Sequence, residues 1–250
     1  MSTVTDTKVA IITGGGQGIG RATALELAGR GYHVSVCDLV VERAEAVAQE
    51  VRKAGQEGLA FSCDVSKRAD VEKVVALTLE RFGRIDALVN NAGTHTPMKV
   101  VDMTDEVWDQ ITDVILKGTF YFCRAVLPTM IAQQSGVIVN ISSVWAWACG
   151  AEAAPYCTSK AGITAFTKSL AFEVGEYGIR VNAIAPGLVD TELYKSTSTQ
   201  AGRDFLIGNC PLGRECTPEE VAKPIGFLVS NEASWVNGET LTVSGGLYTR

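Results

Sequence analysis

Residues 9–20 read VAIITGGGQGIG, and this stretch decides the fold because a short apolar run there meets a cluster of glycines. The run VAII predicts a buried β-strand, and the pattern of residues 21–29 predicts that a helix follows the glycines. A strand, a glycine loop and a helix in this order are typical of dinucleotide-binding folds, in which bare backbone approaches a pyrophosphate at the positive end of the helix. We therefore predict that five residues bind the pyrophosphate: Gly14, Gln17, Gly18, Ile19 and Gly20.

Alternating strands and helices continue along the chain. Further apolar runs, rich in valine and isoleucine, predict strands at residues 33–37, 59–61, 87–89, 136–141, 180–185 and 240–243. Helical patterns lie between them, and one apolar stripe is formed by Trp108, Ile111, Ile115, Gly118 and Phe122. Such alternation predicts an α/β protein with a Rossmann-type, doubly wound parallel sheet between two helix layers. No linker-like segment divides residues 1–250, so we expect a single dinucleotide-binding and catalytic domain.

The second predicted strand ends at Asp38, which follows the glycine loop by about 20 residues. A carboxylate at this place accepts hydrogen bonds from the ribose hydroxyls of NAD, and its charge repels the 2′-phosphate of NADP. No arginine or lysine lies between residues 31 and 41 to offset that repulsion. We therefore expect Asp38 and Leu39 to bind the adenosine half of the cofactor, and we expect that cofactor to be NAD. The alternative for Asp38 is a solvated carboxylate at a strand end.

The composition narrows the class of protein. Hydrophobic residues make up 46% of the 250 residues, and the formal net charge of -6 argues against nucleic acid or an anionic membrane surface as the main partner. No targeting segment is recognised, and the apolar stretches are shorter than the ~20 residues of a membrane helix, so we expect a cytoplasmic protein. The seven cysteines include no Cys-x-x-Cys pair and the chain has only two histidines, so we expect no metal site.

Several motifs stand in a fixed order along the chain. Residues 13–20 match the pattern TGxxxGxG, residues 90–93 read NNAG, and residues 186–191 read PGLVDT. Between the last two lie Ser143, Tyr156 and Lys160. With these motifs the chain resembles the short-chain dehydrogenase/reductase family, in its compact single-domain branch, over nearly its whole length. Each motif alone is common, whereas all of them in this order are specific.

The resemblance implies that Ser143, Tyr156 and Lys160 are catalytic, and their chemistry supports the same roles. Tyr156 and Lys160 are four residues apart, so on a helix they face the same way. A phenol with a pKa of ~10 is a weak base near neutral pH, and a neighbouring ammonium lowers that pKa. Tyr156 would exchange a proton with the substrate oxygen while Ser143 hydrogen-bonds that oxygen. Ser142 is the competing serine, and the spacing to Tyr156 favours Ser143.

The same resemblance assigns further residues to the cofactor. It implies that Lys160 also binds the nicotinamide ribose and that Asp64 and Val65 flank the adenine. It implies that Asn91 and Gly93 line the cofactor groove. On the nicotinamide side it implies four residues: Pro186, Gly187, Val189 and Thr191. Taken alone, each of these residues has an ordinary explanation in a turn, a strand end or a helix surface.

One position departs from the family pattern. Many relatives carry Val-Asn-x-x-Gly-x-Phe before the fifth strand, and the asparagine is linked to a water that relays protons to the lysine. Residues 114–120 read VILKGTF, so Ile115 takes the place of that asparagine, and Asp113 points to another side of the helix. Three outcomes are open: the backbone carbonyl of Ile115 holds the water, the relay takes another route, or the enzyme is slow. We favour the first.

Aromatic residues are expected around the substrate. Trp145 and His95 would border it together with Ser143 and Tyr156, and such walls suit a ring or an apolar chain. Trp147 either borders the pocket or belongs to the core or to a subunit contact.

The resemblance also implies a substrate lid at residues 190–214. Lys195 or Arg203 in that segment would receive an acidic group of the substrate, unless both belong to a solvated, mobile lid. The leading interpretation is an NAD-dependent enzyme that interconverts a secondary alcohol and a ketone. A 3-oxoacyl thioester reductase is the alternative, although Asp38 counts against it because biosynthetic reductions commonly use NADPH. A non-catalytic NAD-binding scaffold is a third, favoured only by Ile115.

Relatives usually assemble as homotetramers through two long helices, which here correspond to residues 104–132 and 154–177. The resemblance therefore implies a homotetramer that acts on a small molecule.

Overall fold

The computed structural model describes residues 6–249, and its centre is one seven-stranded parallel sheet in the order β3-β2-β1-β4-β5-β6-β7. The strands are β1 Val9–Thr13, β2 His33–Asp38, β3 Gly58–Ser62, β4 Ala87–Asn90, β5 Gly136–Ile141, β6 Ile179–Pro186 and β7 Thr240–Val243. Every predicted strand is present, and the bounds differ by two residues at most. The predicted α/β fold class is confirmed.

The sheet is covered on both faces, which explains why its strands are apolar nearly throughout. In β1, Ala10 and Ile12 pack into one apolar layer, whereas Ile11 between them packs into the other. This alternation follows from the two-residue period of a β-strand. All three side chains are fully buried.

Helices form the two outer layers. On one face lie α1 Gly18–Gly29, α2 Val41–Lys53 and α9 Pro218–Val229; on the other lie α3 Arg68–Phe82, α5 Gly118–Gln133 and α6 Ala154–Val174. α1 begins at Gly18, three residues before the predicted start, because its first turn uses the last glycines of the loop. The remaining helices are α4 Asp105–Thr112, α7 Glu192–Thr197 and α8 Gln200–Gly208.

The region expected to form one long helix is interrupted by a π-helical turn, Asp113–Lys117, between α4 and α5. The predicted stripe fails at its first member: Trp108 is 39% exposed, and Val107 packs against Ile111 and Ile115 in its place. Asp105–Gln133 is long and apolar enough to cross a membrane by length and composition alone. Phe122, Val126 and Met130 are nevertheless fully buried in the core beneath the sheet, as in the core helix of a globular protein.

The strand order places a switch point at the middle of the sheet. From β1 the chain proceeds outward to β2 and β3, then returns to β4 on the other side of β1 and proceeds outward again. The loops after β1 and β4 therefore diverge and leave a crevice at the carboxyl ends of the strands, where doubly wound folds bind their ligands.

Candidate active site

A cleft of about 470 Å³ opens at the carboxyl ends of the strands. It brings together nearly all the predicted site residues: Gly14, Gln17, Gly18, Ile19, Asp38, Leu39, Asp64, Val65, Asn91, Gly93, His95, Ser143, Trp145, Tyr156, Lys160, Pro186, Gly187, Val189 and Thr191. The segment 190–214 contributes α7 and α8, and side chains from both line the cleft.

Gly20 is the predicted cofactor residue that does not line the cleft. A Cβ atom at Gly20 would lie 2.1 Å from the carbonyl oxygen of Gly14, so the glycine lets α1 pack directly beneath the loop. The loop is fastened from the other side by Asn91, whose Nδ2 donates to the carbonyl oxygens of Thr13 at 3.0 Å and Gly14 at 2.9 Å. The side chain of Asn91 therefore shapes the wall of the cleft by holding the glycine loop.

The first turn of α1 has free hydrogen-bond donors at the cleft. Its N-cap residue, Gln17, makes no side-chain capping bond, and the turn contains no acidic residue. Backbone N–H groups at an uncapped helix N-terminus, with Gly18 at φ +52°, form a concave site for an anion. These residues fit the pyrophosphate of a dinucleotide.

Asp38 lies at the far end of the loop with 9% of its surface exposed. Its Oδ2 accepts from the N–H of Gly16 at 2.9 Å, and its Oδ1 accepts from the N–H of Val40 at 3.1 Å. A carboxylate has about four acceptor positions, so each oxygen keeps one for a ribose hydroxyl. Asp38 is thus a fixed carboxylate in the cleft wall, and its free acceptor positions fit the hydroxyl groups of an adenosine ribose.

Arg43 also lines the cleft, although the sequence did not predict it there. It lies two residues beyond the segment 31–41, which contains no arginine or lysine. The first turns of α2 bring it back to the cleft wall beside Asp38. A Cβ atom at Gly16 would lie 2.6 Å from Cβ of Arg43 and 2.7 Å from Oδ2 of Asp38. Arg43 and Asp38 therefore flank Gly16 at the same end of the cleft.

Ser143 and Tyr156 form the polar centre of the other half of the cleft. Ser143 follows β5, its Oγ accepts from the N–H of Trp145 at 3.1 Å, and its side chain is hydrogen-bonded to Tyr156. Ser142 donates to the carbonyl oxygen of Lys160 at 2.9 Å and is fully engaged with α6. The geometry therefore gives Ser143 the contact with Tyr156 and gives Ser142 a structural contact.

Lys160 lies one turn below Tyr156 on α6, and its Nζ is 5.6 Å from the centre of the Tyr156 ring. The ammonium donates to the carbonyl oxygen of Ile141 at 2.6 Å and is buried. Burial lowers the pKa of Lys160 to about 8. Burial raises the pKa of Tyr156 to about 12, and the hydrogen bond from Ser143 offsets only part of that rise. The sequence predicts that Lys160 lowers this pKa, whereas in the structure burial has the larger effect and raises it.

Ile115 lies in the π-turn and is 1% exposed. Its carbonyl oxygen accepts from Oγ1 of Thr119 at 2.7 Å, which occupies one of the two lone pairs of that oxygen. Asp113 bonds Lys117 on the surface, as the helix geometry predicted. The buried ammonium of Lys160 bonds the Ile141 carbonyl instead of any group of Ile115.

Three rings surround the polar centre. His95 lies 5.0 Å from Tyr156 and 6.1 Å from Trp145, measured between ring centroids, and Trp145 lies 6.1 Å edge-on to Tyr156. Trp147 lies outside the cleft wall and stacks on Tyr248 at 5.5 Å.

The lid residues expected to receive an acidic substrate group are placed elsewhere. Lys195 pairs with Asp190 at 2.5 Å, and neither Lys195 nor Arg203 is among the residues of the described chain that line the cleft. The lid contributes mainly apolar or neutral side chains, including Leu193, Tyr194 and Leu206. No spacing rule in the sequence identifies these residues, because α7 and α8 are short and their orientation is set by tertiary packing.

Known proteins resemble this chain over nearly all of its length. A family model described as enoyl-(acyl carrier protein) reductase matches residues 14–248. The 3-oxoacyl-[acyl-carrier-protein] reductase of Thermotoga maritima is 39% identical over 240 residues, which cover 96% of this chain and 97% of that protein.

Two solved structures are similar in both sequence and fold. Levodione reductase is 36% identical with a TM-score of 0.92, and the match covers 98% of each chain. A 7α-hydroxysteroid dehydrogenase complexed with NADH and 7-oxo glycochenodeoxycholic acid is 34% identical with a TM-score of 0.93, covering 97% of this chain and 95% of that one. The chain therefore belongs to the short-chain dehydrogenase/reductase family and is an oxidoreductase of that family.

Proposed function

We propose that this protein is an NAD-dependent oxidoreductase that interconverts a secondary alcohol and a ketone. One observation carries the proposal: the hydrogen-bonded Ser143–Tyr156 pair shares a cleft with Lys160, with the uncapped end of α1 and with the Asp38 carboxylate. Side chains suited to a substrate oxygen and backbone donors suited to a dinucleotide thus line one cavity.

In the proposed mechanism, Ser143 and Tyr156 both hydrogen-bond the substrate oxygen. NAD, when bound, supplies the hydride acceptor. During oxidation Tyr156 takes the alcohol proton, and during reduction it donates a proton to the ketone oxygen. The positive charges of Lys160 and of the oxidised nicotinamide favour the phenolate and oppose the effect of burial on the pKa of Tyr156. Lys160 would also hydrogen-bond the nicotinamide ribose.

We assign each part of the bound cofactor to its own set of residues in the cleft. Gly14, Gln17, Gly18 and Ile19 would contact the pyrophosphate, and Asp38 with Leu39 the adenosine ribose. Asp64 and Val65 would flank the adenine. The nicotinamide would lie against Pro186, Gly187, Val189 and Thr191.

Reduction of a 3-oxoacyl thioester is the second candidate, and the name of the Thermotoga maritima relative favours it. The Asp38 carboxylate weighs against it where NADPH is the reductant, because in the proposed binding mode that carboxylate would repel the 2′-phosphate. A non-catalytic scaffold has weaker support, since Ser143, Tyr156 and Lys160 are all in place.

We also propose that the chain acts in the cytoplasm as a homotetramer. Phe120 on α5 and Phe172 on α6 are 41% and 92% exposed, and an apolar groove between these helices is lined by Leu116 and Phe166. Exposed apolar side chains on both long helices are suited to a subunit contact.

Turnover of NAD and of NADP should be measured with a panel of cyclic and aliphatic secondary alcohols, and turnover of NADH and NADPH with a 3-oxoacyl thioester. The proposal expects alcohol oxidation with NAD. Turnover of the thioester alone would favour the second candidate. Tight NADH binding without any turnover would favour the scaffold.

A further inference from the structure

The imidazole of His95 has no hydrogen-bond partner among residues 6–249, although it lines the cleft. Its Nδ1 atom is completely buried and lacks a partner. Buried polar atoms in folded proteins are nearly always hydrogen-bonded, so the imidazole is unsatisfied as it stands, with an Nδ1 atom that has no exposed surface and faces the protein instead of the cleft. A half-turn of the ring about its Cβ–Cγ bond exchanges nitrogen and carbon positions, so either nitrogen can be directed at a ligand.

His95 is held close to the reacting centre. Its ring lies 5.0 Å from the ring of Tyr156 and 6.1 Å from that of Trp145. A ligand whose oxygen bonds Tyr156 therefore places its neighbouring atoms beside the imidazole. Burial lowers the pKa of His95, which keeps the ring neutral near pH 7, with one donor and one acceptor.

The charged residues of the lid favour a neutral ligand at His95, and the ammonium of Lys160 is engaged by the carbonyl oxygen of Ile141. Lys195 is engaged by Asp190, and Arg203 lies outside the cleft wall. The charged lid residue that does line the cleft is Glu192, which would repel an acid. Trp145 lies beside His95, and the apolar residues Val144 and Leu247 also line the cleft.

We propose that His95 is a specificity-determining residue that hydrogen-bonds a second oxygen, next to the reacting carbon, of a neutral substrate. The substrate class is then a hydroxyketone, a diketone or the corresponding diol with an apolar body. This inference rests on the proposed function, because it presumes that Ser143 and Tyr156 hold the first oxygen. A neutral imidazole that donates or accepts serves a carbonyl and a hydroxyl equally well.

The experiment compares two probes that differ by one oxygen, cyclohexanone and 2-hydroxycyclohexanone, with NADH as reductant. The measured quantity is the ratio of their kcat/KM values in the wild type, in His95→Phe and in His95→Gln. Phenylalanine keeps the aromatic packing but has no polar atom, and glutamine keeps a donor and an acceptor. Because the readout is a ratio within one protein preparation, partial loss of folded enzyme does not affect it.

We expect the wild type to prefer the hydroxyketone at least tenfold. His95→Phe should lower that preference by about tenfold, the equivalent of 1.4 kcal/mol, and His95→Gln should restore part of it. A ratio that stays within twofold in His95→Phe, or a wild type without preference, overturns the inference while ketone reduction still supports the proposed function. Failure of every alcohol and ketone with either cofactor would refute the proposed function and this inference together.

Discussion

The carboxylate of Asp38 should determine the choice between NADH and NADPH, and the substitution Asp38→Asn tests this directly. Asparagine has nearly the same shape and keeps one oxygen that can accept the N–H of Gly16 or of Val40. It removes the negative charge and one acceptor. The loop geometry should therefore survive while the charge-dependent contacts are lost.

The magnitude follows from the position of Asp38. Hydrogen bonds to a charged group contribute about 1.5–3 kcal/mol against about 1 kcal/mol for neutral pairs, so NADH binding should weaken by roughly tenfold. At an effective dielectric constant of about 20, two unit charges 4 Å apart interact by about 4 kcal/mol. Asp38 is 9% exposed and weakly screened, whereas Arg43 is exposed and offsets only part of the repulsion. NADPH binding should therefore improve about a hundredfold, and the NADH/NADPH preference should change about a thousandfold.

The assay is equilibrium binding of NADH and NADPH, which needs no substrate. Arg43→Ala, alone and combined with Asp38→Asn, is the matched control: the double variant should bind NADPH more weakly than Asp38→Asn. A change in preference of less than tenfold in Asp38→Asn would refute the reasoning, because the carboxylate would then not face the ribose.

Three further outcomes are expected. Ile115→Asn should leave turnover within about tenfold, or about 1.4 kcal/mol of barrier, because the other catalytic groups are in place; a thousandfold change in steady-state kcat would contradict this. Lys160→Met removes a positive charge near Tyr156, so the pKa of the phenol should increase. The pH at which the oxidation rate begins to increase should therefore move at least one unit higher. An unmoved pH profile argues against the role of Lys160. Gly20→Ala places a methyl group 2.1 Å from the Gly14 carbonyl oxygen. This clash should lower the midpoint of thermal unfolding and weaken NADH binding. A variant with the stability and the Kd of the wild type would show that the loop can move aside.

The strands and the sheet topology were predictable because both faces of the sheet are covered. Apolar runs of four to eight residues, separated by helical patterns, admit few other arrangements. The π-turn at Asp113–Lys117 was not predictable, because it changes hydrogen bonding without changing the apolar pattern on either side. Trp108 is exposed although it matches the helical spacing, because α4 buries Val107 and Ile111 instead.

The residues proposed to bind the cofactor were more predictable than those proposed to surround the substrate. Glycines, Asp38 and the Tyr156–Lys160 pair have positions set by backbone geometry, which the sequence encodes locally. Arg43 depends on how α2 folds back over the loop, and Gly20 acts in packing instead of in the cleft wall. The pKa of Tyr156 depends on burial, which arises only when the helices and the sheet assemble.

We propose that Tyr156 transfers the proton that accompanies hydride transfer between NAD and a substrate. The measurement that tests it most directly is the rate of NADH formation with the best alcohol in the wild type and in Tyr156→Phe, with the Kd for NADH determined in both. General acid–base catalysis contributes about 10²–10⁴-fold, so Tyr156→Phe should lose at least a hundredfold in kcat while its Kd for NADH stays within threefold. A Tyr156→Phe enzyme that keeps more than a tenth of the wild-type kcat would contradict the account.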